Sequence, residues 1–245
     1  MLAAKFKFHD ELNDFLPLAR RQTEIPSRFN SDQSVKHLIE AMGVPHTEVG
    51  RVLVSGQEVA FGYLVQEGDR VEVYPLSEEQ RNGGQFGAMS FVVDNHLGRL
   101  AVYLRMLGFD TLYRNDYNDD ELAQIAGQGE RVLLTRDQRL LMRSQVRRGY
   151  WVRSKIPREQ IVEVLHRFGL SAQVVPFKRC MRCNGLLQPV EKETVLHRLE
   201  PLTNKYFDQF RICSECSQVY WQGSHYERMA NFIDQVVEES KGAAR

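Results

Sequence analysis

Two short apolar runs that each end on an aspartate are the clearest feature of the hydrophobic pattern. Residues 90–94 are Ser-Phe-Val-Val-Asp, and residues 131–137 are Arg-Val-Leu-Leu-Thr-Arg-Asp. Continuous apolar runs of this length are typical of strands in a parallel sheet that is covered on both faces. The pattern therefore predicts two buried strands with Asp94 and Asp137 at their carboxyl ends.

Further strands and helices alternate around these two runs. Apolar residues at helical spacing extend from Leu97 to Leu107, and Gly108 ends the predicted helix. Alternation with short loops predicts parallel strands joined by right-handed crossovers. We therefore predict a three-layer α/β/α domain with a parallel sheet over residues 90–172. Its other predicted elements are strands at 111–113 and 150–154 and helices at 118–126, 138–148 and 157–168.

Residues 1–76 follow a different order of elements: strand, strand, helix, strand, strand. This is the order of a β-grasp domain. The helix, at 34–43, has a serine at its start and a glycine at its end. Residues 77–89 are polar and glycine-rich without periodicity, which predicts a linker. The strands are predicted at 3–8, 21–26, 51–59 and 69–76.

The length of 245 residues suits two or three units, and 42% hydrophobic residues is ordinary for a globular protein. No apolar run approaches the ~20 residues that a membrane span needs. Lys5, Lys7 and His9 interrupt the apolar residues at the amino end, where a signal peptide would need a continuous apolar core. We therefore expect a cytoplasmic protein without a membrane segment.

The charge is unevenly distributed along the chain. The formal net charge is zero, which argues against a general nucleic-acid coat. Residues 131–182, however, contain thirteen lysines and arginines against three acidic residues. Such a basic block is suited to a phosphodiester substrate. The alternative is that many of these side chains form the solvated faces of two helices.

The two strand-end aspartates are candidates for an acidic metal site, together with Asp119 and Asp120 at a predicted helix start. Ligands bind at the carboxyl ends of strands in open α/β sheets, and clustered carboxylates repel each other unless a cation neutralises them. Magnesium or manganese is the hard cation that carboxylates favour. Such an ion activates water and stabilises a pentacoordinate phosphate. The alternative is that these acids are helix caps, although Asp94, which ends a buried strand, needs a partner in any case.

All four cysteines of the chain form two C-x-x-C pairs. Cys180 and Cys183 form the first, Cys213 and Cys216 the second, and 29 residues separate the pairs. Two such knuckles predict tetrahedral thiolate coordination of a structural Zn²⁺ ion, because four sulfur ligands leave no open position. Disulfides are the alternative, but they are uncommon in cytosolic proteins. The residues between the pairs are predicted to form a strand and a turn.

A zinc ribbon is accordingly predicted at 173–230, followed by a C-terminal helix and tail at 231–245. His225 is a further conceivable ligand, but four cysteines suffice. We expect it on an exposed face with Trp221, Tyr220 and Arg228, where stacking on a base is possible.

The amino-terminal sequence VLVSGQEVAFGYLVQEGDRVEVYPL resembles the end of the ThiS/MoaD-like ubiquitin fold. Members that carry sulfur do so on a free carboxyl-terminal Gly-Gly. Here Gly83-Gly84 is internal and is followed by Gln85. The resemblance therefore implies a docking or shielding role, with a protein partner, rather than sulfur transfer.

The sequences FVVDNHLGRLAVYLRMLGFDTLYRNDYNDDELAQIA and RVLLTRDQRLL resemble the PIN-like ribonuclease domain named after the C-terminal part of the mutator-seven exonuclease. The resemblance implies three or four acids and one or two metal ions. Its first acid maps to Asp94, its helix-start acid to Asp119 or Asp120, and its strand-end acid to Asp137. Asp116 is the best match for a fourth.

Two further matches and one departure accompany this resemblance. The segments CMRCNGLL and CSECSQVYWQGSHYERM resemble the zinc ribbon attached to the same nuclease family. His96 departs from the pattern, because many members have an apolar residue there.

The residues predicted to contact RNA are Arg99, Arg136, Arg139, Arg143 and Trp221.

Together these features predict a metal-dependent ribonuclease with RNA as its partner. Zn²⁺ would be structural and Mg²⁺ or Mn²⁺ catalytic. Two alternatives remain. The first is a non-catalytic RNA- or ribosome-binding adaptor in which the acids are caps. The second is a partner in sulfur transfer, which would require cleavage after Gly84.

Overall fold

The computed structural model describes residues 1–81, 89–128 and 131–242. Its first elements are β1 (Leu2–Phe8), β2 (Ile25–Phe29), α1 (Val35–Ala41), β3 (Val49–Val54), β4 (Gln57–Val59), β5 (Arg70–Pro75) and α2 (Glu78–Arg81). The next are β6 (Ser90–Val93), α3 (Gly98–Met106), β7 (Asp110–Leu112), α4 (Asp119–Gln128), β8 (Val132–Thr135), α5 (Gln138–Leu141), β9 (Gly149–Trp151) and α6 (Pro157–Arg167). The last are β10 (Leu187–Val190), α7 (Lys192–Val195), α8 (Pro201–Tyr206), β11 (Phe210–Cys213), β12 (Val219–Trp221) and α9 (Ser224–Gly242).

The chain forms two compact units, each built from two separate segments. The first unit comprises Met1–Gly87 and Asp119–Trp151, and the second comprises Ala88–Asn118 and Val152–Arg245. The division thus runs through the segment predicted as one α/β domain.

The amino-terminal part of the first unit is a β-grasp, as predicted. Its five strands have the order β2-β1-β5-β3-β4, in which β1 pairs antiparallel with β2 and parallel with β5. Phe6, Phe8 and Ile39 are fully buried in its core. Ser34 caps α1, because its Oγ accepts a hydrogen bond from the amide of His37 at 3.3 Å. The alternating burial along β1 and the capped helix α1 therefore agree with the β-grasp that the sequence pattern predicted.

Two boundaries in the β-grasp differ from the prediction. The hairpin partner of β1 is Ile25–Phe29 rather than residues 21–26. The run predicted as one strand at 51–59 is a hairpin of β3 and β4. Ser55 and Gly56, with φ of 50° and 85°, make its two-residue turn, and positive φ at both positions matches the twist of the flanking strands.

Four residues of the predicted linker at 77–89 form α2. Residues 82–88, including Gly83 and Gly84, lie outside the described part of the chain.

The second segment of the first unit contributes a parallel strand pair. Strand β8 pairs with β9 in parallel, with Leu133 opposite Gly149. All four residues of β8 are buried, as the continuous apolar run indicated. Helix α5 is shorter than the predicted 138–148, because Val146 turns inward to full burial and β9 begins three residues later.

A buried carboxylate joins the two segments of this unit. Glu48 is fully buried, and its Oε1 accepts a hydrogen bond from the Trp151 amide at 2.9 Å. His46 contacts the carbonyl oxygen of Val146 at 2.9 Å, and the Trp151 ring packs against Phe15 at 5.0 Å. The β-grasp is therefore packed against strand β9 rather than tethered only through a linker.

The second unit begins with another parallel pair, β6 and β7, in which Ser90 lies opposite Asp110. The Phe91 ring contacts the rings of Phe109 and Phe168 at centroid distances of 6.1 and 6.0 Å. Helix α3 packs against β7 and α6, and α6 packs against α9. Parallel pairing in both units confirms the predicted fold class.

The remainder of the second unit contains a three-stranded antiparallel sheet in the order β10-β11-β12. The strand and turn predicted between the cysteine pairs were only partly right, because β10 is followed by two helices, α7 and α8. Both α6 and α8 have proline in the first turn, where its missing N–H costs no hydrogen bond. Helix α9 begins at Ser224 and crosses the boundary predicted at 230/231.

Among residues 1–81, 89–128 and 131–242, no helix has both the length and the apolar character that a bilayer span requires.

We expect Glu48→Ala to lower the free energy of unfolding by about 1–3 kcal/mol, because the partly buried amide of Trp151 loses its acceptor. Glu48→Gln retains an acceptor oxygen and should cost less. Urea unfolding followed by circular dichroism measures both, with the exposed Glu58→Ala as the control. A Glu48→Ala variant as stable as Glu58→Ala would contradict this role.

Candidate functional site

The four cysteine sulfurs converge in the second unit. Their Sγ atoms all lie within 4.8 Å of one another. The Cys180 and Cys216 sulfurs are 3.6 Å apart, and those of Cys183 and Cys213 are 3.3 Å apart. These distances are too long for disulfides, in which the sulfurs are about 2.05 Å apart. They fit tetrahedral zinc, for which Zn–S bonds of about 2.3 Å put the sulfurs roughly 3.8 Å apart.

Both cysteine pairs are shaped by the same local backbone geometry. The fourth residue after each first cysteine, Asn184 or Ser217, has a positive φ, 76° and 57° respectively. The amide of each donates to the carbonyl of that first cysteine, at 2.9 and 3.1 Å. Each C-x-x-C segment therefore turns back on itself and directs both sulfurs inward. Gly185 leaves the space needed, since a Cβ there would lie 2.8 Å from the Cys213 sulfur.

Tyr220 provides a hydrogen bond to the cluster. Its hydroxyl lies 3.1 Å from the Cys180 sulfur. Burial raises the pKa of the Cys180 thiol, but hydrogen bonds from Tyr220 and from the backbone outweigh burial and lower it to about 7. Burial raises the pKa of Cys183 to about 12. The cluster therefore holds one sulfur that is readily a thiolate, the form that binds metal.

Side chains that the sequence did not single out attach the first knuckle to α3 and β7. Buried Arg105 donates to the carbonyl oxygens of Met181 and Arg182, at 3.3 and 3.0 Å. Asn184 accepts from the Thr111 amide at 2.9 Å and donates to Asp110 at 2.8 Å. The position of Asn184, directly after C-x-x-C, was the only sequence signal for these contacts.

Two of the predicted acids contact Arg143 in the first unit, and the charge of a third acts on it. Asp120 forms an ion pair and hydrogen bond with its guanidinium, and the Asp119 Oδ2 lies 4.0 Å from its Nη2. The hydrogen bond and charge of Asp120 raise the pKa of Arg143, and the charges of Asp119 and Asp137 add to the effect. Here a guanidinium compensates carboxylates that would otherwise repel one another.

Two of these acids lie in the first turn of α4, and Asp137 is the N-cap of α5. The Oδ1 of Asp137 accepts from the Arg139 amide at 2.8 Å. The side chains of Asp119 and Asp120 are 57% and 89% exposed, so both can reach a ligand in solvent. Capping, one of the two interpretations of the sequence, is therefore observed for Asp137.

Asp94 belongs to the second unit and is only 6% exposed. It ends β6 and caps a short 3-10 turn, with its Oδ1 3.2 Å from the His96 amide. The same oxygen lies 3.1 Å from the His96 Nδ1. His96, the position that departs from the resemblance, is thus a direct neighbour of this carboxylate.

Asp116, the best match for a fourth acid, forms an exposed local ion pair with Arg114, with a closest distance of 2.6 Å. The hydrogen bond from Arg114 lowers the pKa of Asp116.

Two surfaces of the second unit carry predicted RNA contacts. Arg99 lines a recess of about 660 Å³ beside His96, together with Lys155 and Tyr113. Trp221, 40% exposed, lies at the end of β12 in a groove of about 370 Å³. In the first unit, Arg139 is exposed, whereas Arg136 and Arg143 are partly buried. His225 is exposed and lies outside the cysteine cluster.

Comparison with known families gives two matches. Residues 89–233 match the Mut7-C RNAse domain, and residues 1–81 match the Mut7-C ubiquitin domain. No curated protein matches significantly.

Two solved structures have likeness to part of the chain. One is small archaeal modifier protein 1 of H. volcanii, with 16% identity and a TM-score of 0.26. The other is a putative molybdopterin converting factor, subunit 1, from Pyrococcus furiosus, with 20% identity and a TM-score of 0.25. Each match covers 31% of this chain and 100% of the other.

We expect Tyr220→Phe to weaken zinc binding roughly 10- to 100-fold, the usual effect of losing an outer hydrogen bond to a metal ligand. Cys213→Ser should lose stoichiometric zinc altogether. Competition with a chromophoric chelator measures both, and Tyr206→Phe, an exposed tyrosine on α8, is the matched control. If Tyr220→Phe and the wild type release zinc at the same chelator concentration, the expectation is wrong.

Proposed function

Because the chain belongs to the Mut7-C RNase domain family, we propose that it is a metal-dependent ribonuclease that hydrolyses RNA phosphodiester bonds. The observation that carries this proposal is the match of residues 89–233 to that domain, which spans more than half of the chain.

We assign Asp94, Asp119, Asp120 and Asp137 as the catalytic acids that hold Mg²⁺ or Mn²⁺. Carboxylate oxygens are the ligands that these hard cations prefer. The contacts of Asp119 and Asp120 with Arg143 support the assignment, because these two positions already accommodate a positive charge. When bound, such an ion would supply Lewis acidity and lower the pKa of a water molecule.

The chain's own residues would position the RNA strand. Arg99 and Lys155 carry positive charge into the recess beside His96, where a phosphate can be held. His96 orients the Asp94 carboxylate through the contact to its Oδ1. Arg143 would exchange its exposed partner Asp120 for a phosphate oxygen, and Arg136 and Arg139 would extend this basic surface.

The cysteine cluster and the β-grasp would have supporting roles. Cys180, Cys183, Cys213 and Cys216 would hold a structural Zn²⁺ ion, with all four positions filled by sulfur. The ubiquitin-like domain would dock a protein partner, because its β-grasp continues into further chain rather than ending on a free Gly-Gly.

The zinc-loaded wild type should cut an end-labelled single-stranded RNA with Mn²⁺ or Mg²⁺ and stop after brief EDTA treatment. Asp94→Asn should lower the rate at least ~100-fold, because a neutral amide is a poorer ligand for a hard cation. Asp234→Asn, on the exposed face of α9, is the matched control. Zinc content and circular dichroism are measured on every sample, including the EDTA arm.

Equal cutting by Asp94→Asn and wild type would contradict the proposed site. Firm RNA binding without cutting in either protein would favour the adaptor, in which the acids are caps.

We expect Arg143→Gln to bind Mn²⁺ several-fold more tightly, because the guanidinium no longer competes for Asp119 and Asp120. The same variant should bind RNA more weakly without added metal. Electron paramagnetic resonance titration measures free Mn²⁺, and filter binding measures RNA. The matched control is Arg147→Gln, which removes an exposed charge from the same loop. The idea fails if the two variants have the same Mn²⁺ affinity.

A further inference from the structure

A groove of about 370 Å³ lies in the second unit beside the cysteine cluster. We call it the ribbon groove and define it by five aromatic side chains in its lining. Its volume is in the range of small-ligand sites. The five side chains are Phe177, Phe210, Tyr220, Trp221 and Tyr226.

Several contacts hold the aromatic walls of the ribbon groove in place. The rings of Phe177 and Tyr226 pack at 4.5 Å, and Arg211 donates to the carbonyl oxygen of Phe177 at 2.8 Å. Tyr220 is tied to the Cys180 sulfur at 3.1 Å. The walls are thus positioned without a ligand, which limits the conformational entropy lost on binding.

Trp221 is the exposed part of this lining. Trp221 lies at the end of β12 and is 40% exposed. Gly223 leaves room for the indole, since a Cβ at that position would lie 3.1 Å from the Trp221 Nε1. A flat ring can therefore reach the indole from solvent.

The polar groups at the ribbon groove suit an uncharged ligand. Two of its cations are already engaged, Arg179 with Asp110 and Arg211 with a carbonyl oxygen, while Glu191 and Asp208 also line it. Within the described residues, the carboxamides of Gln209 and Gln222 make no hydrogen bond. A carboxamide both donates and accepts, which matches the edge of a base.

We propose that the ribbon groove binds a nucleobase of single-stranded RNA, which stacks on Trp221 and is contacted at its edge by Gln209 and Gln222. The proposal rests on the proposed function, in that RNA is the substrate. Aromatic walls with an amide rim favour a base, whereas the recess lined by Arg99 and Lys155 has the charge for phosphate. The ribbon groove would therefore recognise a base, and the recess would recognise the phosphate backbone.

The direct test uses the fluorescence of Trp221. The chain has two tryptophans, so a full-length, zinc-loaded Trp151→Phe variant makes Trp221 the reporter. Titration with a 2′-O-methyl oligonucleotide, which resists cleavage, should quench the emission. Adenosine should quench it at higher concentration, and ribose 5-phosphate should leave it unchanged.

In the wild-type background, Trp221→Ala should weaken oligonucleotide binding roughly 5- to 100-fold, the range of one lost base stack. Trp221→Phe should recover part of the loss. Tyr206→Ala, an exposed aromatic outside the groove, is the control. Circular dichroism and zinc content show whether each variant is folded.

The outcomes separate this proposal from the ribonuclease assignment. Metal-dependent cleavage with unchanged binding by Trp221→Ala would overturn the base site and leave the ribonuclease standing. Trp221-dependent binding without cleavage by the wild type would support the base site and contradict the ribonuclease. Quenching by ribose 5-phosphate, or none by oligonucleotide and adenosine, would mean that the groove takes a different ligand and would overturn the proposal.

Discussion

The convergence of four cysteine sulfurs is the constraint on which the carboxyl-terminal sheet depends. The buried residues around them are Cys180, Leu187 and Cys213, and a second small cluster of Val195, Phe210 and Val219 lies in the same part of the chain. Clusters of three buried residues are small cores for three short strands, so a bound metal would add needed stability. Metal binding supplies folding free energy in such sites. Two hydrogen bonds connect the cluster to its surroundings. Asn184 attaches it to β7, and Tyr220 connects it to the ribbon groove. The cysteine cluster and the ribbon groove are thereby linked through one hydrogen-bonded tyrosine.

Helix capping and metal ligation are compatible roles for the acids. Asp94 and Asp137 each accept a hydrogen bond from a backbone amide two residues ahead, through Oδ1. Such a contact aims the carboxylate at the start of the following helix or turn, where the backbone amides favour negative charge. In a strand-helix fold the same position is the carboxyl end of the strand, where ligands bind. A cap in this place therefore does not argue against a catalytic role.

The β-grasp is part of the first unit rather than an appendage. Glu48 and His46 contact the segment that contains Val146 and Trp151, and the Trp151 ring packs against Phe15. A carboxylate that is fully buried is costly unless it is hydrogen-bonded, so these contacts define one arrangement of the two segments. A partner of the β-grasp would therefore have to use its remaining surface.

The sequence by itself determined the fold class, the β-grasp, the cysteine pairs and the strand-end acids, because these depend on local periodicity and fixed spacing. It misplaced β2, joined β3 with β4 and overextended α5, because strand partners and inward turns are decided by packing. Only the tertiary structure decided that Arg143 contacts Asp119 and Asp120, that Glu48 accepts from the Trp151 amide and that Asn184 anchors the first C-x-x-C segment. These contacts join residues that lie 23–103 positions apart, and the pattern along the chain does not show which of them pair.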